Sequence, residues 1–194
     1  EVMGLIRTST GSGPQSGAIV IATPTGGMST LLRLQVAAQG FPLADVVQTR
    51  LLLEDAVAAA LAGQDAPDLV GAHRVLEAMD AHALTPAEFL ALDAQLHLAL
   101  AESSGNSVVA AIMAGLRTAI ESYVQQGAAA IDDWGAMADV LRAEHRAIID
   151  AIEAGDATTA RSLVRAHITG YYTAAGLTRS TVSYTHLRAH ETKA

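Results

Sequence analysis

Between residues 28 and 177 the apolar side chains recur every three to four positions, and this pattern confines most of the chain to helices that pack on one another. Clear stops divide the pattern. QGFPLAD follows a short stretch at 31–38, AGQDAPD follows a long one at 45–62, and a third occupies 66–83. LTPAEF has the form of a helix start, with Thr85 as N-cap, Pro86 in the first turn and Glu88 at the capping-box position. SSGNS ends the helix over 88–103 at Gly105 and begins the next at Asn106. DDW opens a helix over 133–154, and AGDATTA, with Asp156 as cap, leads into a last one that ends near Ala175. The expected fold is all-α, an antiparallel bundle of six to seven helices with short connections. Residues 1–27 read differently. GLIRTST and GAIVIAT are short β-branched stretches on either side of GSGPQSG, which predicts a β-hairpin, and TPTGGMS then serves as a linker.

Charge and composition exclude several partners. The 194 residues carry 12 basic and 20 acidic side chains, a formal charge of -8. Gripping a phosphate backbone takes clustered Lys and Arg, so this polypeptide alone is not expected to hold nucleic acid. GSGPQSG is not a phosphate loop either, since its glycine spacing is wrong and no Lys-Ser/Thr follows. With no Cys there is neither a disulfide framework nor a thiolate metal site, which fits a reducing cytoplasm. No run approaches the ~18 consecutive apolar residues of a membrane span, and no basic-then-apolar leader opens the chain. A cytoplasmic location without a membrane partner is expected.

One constellation carries chemistry. Asp93 and His97 stand four apart in LDAQLHLAL and project from one helix face. His145 precedes the turn at 154–155 by about nine residues and His167 follows it by about twelve, which puts the two at similar heights on neighbouring helices. Apolar residues at three and four positions from each, Ile148 and Ile149 for His145 and Leu163 and Val164 for His167, turn both inward. An Asp and three His are costly to bury without a common partner. A divalent metal would satisfy all four and leave coordination positions for water or a carboxylate. The other readings are core histidines with ordinary hydrogen bonds and, for Asp93 and His97, a simple ion pair.

LDAQLHLALAESSGN resembles the central motif of the FCD domain, the effector-binding half of the FadR branch of GntR transcription regulators. FPLADVVQTRLLLEDAVAAALA is similar to that domain's opening Arg-x-x-x-Glu helix, and AEHRAIIDAIEAGDATTARSLVRAHI to its closing Glu-His, Gly-Asp and distant-His pattern. The resemblance covers residues 28–177 and implies that Asp93, His97, His145 and His167 bind zinc, nickel or manganese. It further implies that the metal holds a small carboxylate effector. Arg50 matches the family's first-helix arginine and has two readings: an anchor for the effector carboxylate, or an intrahelical partner of Glu54. Glu144 either orients a metal ligand or faces solvent. His73 and His82 match nothing and are read as surface residues.

The resemblance implies a sensor, not an enzyme. Effector binding in the bundle would shift the helices of a homodimer and so re-space two DNA-reading heads. The rival reading is a metal-dependent enzyme acting on a small organic acid, for which Glu144 and Glu102 are the weak general-base candidates. A purely structural dimerisation module with a vacant site is the third. GLIRTSTGSG resembles the wing of the family's winged helix-turn-helix, so residues 1–24 are expected to be its remnant and 25–179 the FCD domain. The recognition helix is absent from this sequence, and DNA is expected to be bound only through that missing part. Residues 180–194 break the Ala/Leu pattern, contain the only Lys, Lys193, and resemble a translated sequencing-adapter tail. A native C-terminus is the alternative, and His186 and His190 are set aside from the site.

Overall fold

In the computed structural model, four of the six long helices begin where a side chain satisfies free amides of the first turn. The structure describes residues 6–9, 17–20, 29–32, 34–35, 41–81 and 83–177. Six long helices are present among them: α1 (Leu43–Ala62), α2 (Val70–Met79), α3 (Pro86–Ser103), α4 (Ser107–Ala128), α5 (Trp134–Glu153) and α6 (Ala157–Ala174). Thr85 and Glu88 form both halves of a capping box at α3, with Pro86 in its first turn. Asn106 accepts from the amides of Val108 and Val109 at α4. Asp133 and Asp156 cap α5 and α6 in the same way. Gly105, between α3 and α4, has φ 79°, the left-handed conformation that glycine adopts without steric cost.

One helix departs from the pattern-based expectation. The predicted helix over 66–83 is shortened to Val70–Met79 at both ends. The Asp68 side chain accepts from the Val70 amide, which holds the residues after Pro67 in a turn instead of a helix. At the far end Ala83 takes φ 65°. In the N-terminal region Ile6–Ser9 and Gly17–Val20 pair as antiparallel strands, β1 and β2, with Ile6 opposite Val20 and Ser9 opposite Gly17. The tail predicted over 180–194, with His186 and His190, lies outside the described residues, as does His82.

α1 is the central element. It lies along α6 and also touches α3, α4 and α5, while α3 packs between α2 and α4. Leu61, Ala72, Met79, Phe89 and Ala160 are wholly buried between them. α4 is long and apolar enough in composition to cross a membrane. Here, however, Met113, Leu116, Ile120 and Val124 are buried in the bundle core. Gly115 lets helical residues 29–32 settle onto α4, since a Cβ there would stand 2.6 Å from Leu32 Cδ2. Asp55 ties α1 to α6 through Arg161 at 2.8 Å and Arg165 at 2.5 Å.

Candidate metal and effector site

Three helices deliver four polar side chains to one point of an otherwise apolar interior. Asp93 and His97 come from α3, His145 from α5 and His167 from α6, none more than 4% exposed. Their ligand atoms all lie within 4.8 Å of one another. His167 Nε2 is 3.2 Å from both His97 Nε2 and His145 Nε2. Asp93 Oδ1 is 3.0 Å from His145 Nε2, 3.7 Å from His167 Nε2 and 3.9 Å from His97 Nε2. The i,i+4 spacing on α3 and the heights on either side of the 154–155 turn thus bring together all four residues singled out in the sequence.

The proton positions identify what such a cluster lacks. His97 Nδ1 lies 2.5 Å from Glu54 Oε2, and His167 Nδ1 lies 2.9 Å from Glu144 Oε2. Glu144 hydrogen-bonds His167 Nδ1, whereas Glu54 Oε2 is in close contact with His97 Nδ1 but outside hydrogen-bond alignment. Both carboxylates favour the Nδ1–H tautomer of a neutral imidazole, which leaves Nε2 as the acceptor. Two acceptor lone pairs that face each other at 3.2 Å do not bond; a shared cation resolves the arrangement. Donors about 2.1 Å from a metal stand about 3.0 Å apart in an octahedral shell and about 3.4 Å apart in a tetrahedral one. The 3.0 and 3.2 Å separations match that range. The donor set therefore fits a divalent ion bound by one carboxylate oxygen and three imidazole nitrogens.

The electrostatics agree. Burial and the facing His167 push His145 down to about 4, so its ring is neutral and able to act as a ligand. Burial alone would raise the Asp93 carboxyl, but the hydrogen bond from His145 and the nearby imidazoles outweigh it and hold Asp93 well below the usual carboxylate range. For Glu54, burial is likewise outweighed by Arg50 and His97, which bring it down to about 2.

Arg50 makes the intrahelical pair with Glu54 and is buried in the core as well. Its Nε lies 2.8 Å from Glu54 Oε1, the intrahelical pair, yet the guanidinium is 2% exposed. Nη1 donates to the Tyr172 hydroxyl at 3.3 Å, while buried Nη2 has no hydrogen-bond partner among the described residues. Such a donor is costly to bury and marks where an acceptor would fit. Beside the cluster lies a small cavity lined by residues that include Glu54, Val57, His97, Leu100, His145 and Val164, with about 10 Å³ for the centre of a water molecule.

Three further placements bear on the sequence reading. Glu144 is half-exposed and backs His167 instead of its neighbour His145. Glu102 is exposed on a groove with Ser29 and Ser107. His73 sits on the surface, as expected, with its Nε2 2.8 Å from Glu153. Sequence reasoning missed Glu54 as the partner of His97 and Tyr172 as the partner of Arg50. Glu54 stands three, four and seven positions before buried Val57, Ala58 and Leu61, a spacing that already turns it inward.

A family model described as the FCD domain matches residues 45–170. A provisionally named L-lactate dehydrogenase operon regulatory protein of Escherichia coli (strain K12) is 36% identical over 81 residues, which are 42% of this chain and 31% of that protein. A protein of the same name in Shigella flexneri matches equally. The chain thus spans about a third of the length of these curated relatives. Among solved structures, a Streptococcus agalactiae GntR superposes with a TM-score of 0.59 at 20% identity, covering 87% of this chain and 74% of the other. At that identity the likeness establishes the shared fold. These relatives are transcription regulators and not enzymes.

Proposed function

This chain belongs to the FCD domain family, and we propose that it is the ligand-sensing part of a GntR-type transcription regulator of the FadR branch. In this reading Asp93, His97, His145 and His167 hold zinc, nickel or manganese, and a small carboxylate effector completes the metal shell. The metal supplies a positive centre with open positions for that carboxylate. In the same reading Arg50, whose buried Nη2 has no hydrogen-bond partner among the described residues, anchors the acid's carboxylate. The observation that carries the reading is the set of inward Nε2 atoms 3.2 Å apart, beside a buried guanidinium with a donor to spare.

The cavity beside the cluster is small, and in this reading the acid enters as the helices around it part. α1 touches α3, α4, α5 and α6, and any such parting is felt across the bundle. Helical residues 29–32 rest on α4 through Leu32 and Gly115, which offers a path from the bundle to the N-terminal region. We take the β1–β2 pair as the wing of a winged helix-turn-helix through which a cytoplasmic homodimer of the full-length regulator binds DNA. The effector then acts by favouring one spacing of the two reading heads.

A thermal-shift screen of small carboxylates against the metal-loaded chain tests the proposal. At least one hydroxy or keto acid is expected to raise the melting temperature and to be recovered unchanged. Absence of any shift across hydroxy, keto, sugar and amino acids would sink the sensor reading, and turnover of a hit would replace it with catalysis.

A further inference from the structure

Three imidazoles face one centre, but they are braced differently from behind. His97 Nδ1 lies against Glu54, with both side chains at most 5% exposed. His167 Nδ1 lies against Glu144, whose side chain is 36% exposed. His145 Nδ1 has no partner among the described residues. Glu54 is itself fixed on its other oxygen by Arg50 Nε at 2.8 Å. The carboxylate cannot turn away from His97 without disturbing a charge pair buried in the core, where an unpaired charge is strongly unfavourable.

Building on the metal reading above, we propose that Glu54 is the positioning residue that sets the strength of the metal centre. It holds His97 with the proton on Nδ1 and the Nε2 lone pair aimed at the other three donors. Arg50, Glu54 and His97 thereby form one braced unit that spans α1 and α3. Glu144 does the same for His167 less effectively, because water competes for a half-exposed carboxylate and not for a buried one. A ligand's outer partner commonly contributes ten- to a hundredfold to metal affinity. Here that contribution falls mainly on Glu54.

The test is titration of the chain with zinc in competition with a chromophoric chelator. A glutamine at position 54 offers one acceptor and one donor where two acceptors are needed, so it serves His97 or Arg50 but not both. Glu54→Gln is expected to weaken zinc binding by about ten- to a hundredfold. Glu144→Gln is expected to weaken it by no more than roughly threefold, given the small worth of exposed pairs. Zinc affinity at the wild-type level in Glu54→Gln, with only a lower melting temperature of the metal-free chain, would make Glu54 a mere counter-ion of Arg50 and overturn the proposal. Should that single variant not fold, Arg50→Met/Glu54→Leu removes the buried charge together with its partner, leaves His97 Nδ1 no acceptor at this position and must show the same weakening; wild-type affinity there is equally fatal. Nitrogen-15 spectra of the imidazoles in the metal-free chain give a second readout. His97 is expected as the Nδ1–H tautomer in the wild type and as a mixture in Glu54→Gln, and an unchanged ring spectrum counts against the assignment. A wild-type chain that takes up no zinc overturns both this role and the metal reading. Zinc binding that Glu54→Gln leaves intact overturns the role alone.

Discussion

The protein pairs a histidine with a glutamate in two contrasting places. On the surface His73 meets Glu153 at 2.8 Å, with side chains 46% and 48% exposed. In the interior His97 meets Glu54 at 2.5 Å, with both nearly inaccessible. The chemistry of the two contacts is the same, but their surroundings differ. At the surface each partner exchanges the other for water at little cost. In the core neither has an alternative, so Glu54 requires Arg50 on its second oxygen and His97 requires the cluster on its second nitrogen. Burial turns a contact of small consequence into one member of a coupled polar set.

That contrast can be broken by experiment, and the largest expected effect is on metal content. Purified wild-type chain should carry near one divalent ion, and His97→Ala/His167→Ala close to none by elemental analysis; equal metal in the two proteins would refute the ligand assignment. Next in size is Arg50→Met, which leaves Glu54 buried without its cation. It should lower stability by about 3–5 kcal/mol in urea unfolding. Zinc at a hundred times its dissociation constant should add about 2.7 kcal/mol to the unfolding free energy of the wild type and nothing to the double-histidine variant. Asn106→Ala removes an N-cap far from either pair and should cost about 1 kcal/mol, the yardstick for an ordinary local interaction. Smallest of all, His73→Ala should change stability by roughly 0.5 kcal/mol or less and leave zinc affinity untouched. A large effect there would erase the difference between the two pairs.

The helices and their caps were legible because the signals are local. Thr85, Asn106, Asp133 and Asp156 cap through side chain-to-amide bonds that span at most three residues. The second helix was over-read at both ends, because apolar spacing continues past the turn that Asp68 stabilises. The four ligand-type residues were legible from periodicity, which says which way a side chain points. What periodicity does not say is what the side chain meets. Glu54 shares the inward face of Val57, Ala58 and Leu61, but that it meets His97, 43 positions away, depends on how α1 packs on α3. Tyr172 reaches Arg50 across 122 positions for the same reason.

Arg50 shows the limit most clearly. Its spacing to Glu54 made the intrahelical pair foreseeable, and the sequence presented that pair and an inward anchor as alternatives. Packing made them compatible: Nε serves Glu54 while Nη2 of the same planar group stays buried and unpartnered. The amino-acid order alone settled where most of the helices lie and begin and which polar groups turn inward, because those depend on neighbours within a turn or two. The packing of α1, α3, α5 and α6 settled the distances between those groups, which carboxylate braces which imidazole, and how little room lies beside them. These depend on contacts between residues far apart in the chain, which no local spacing encodes.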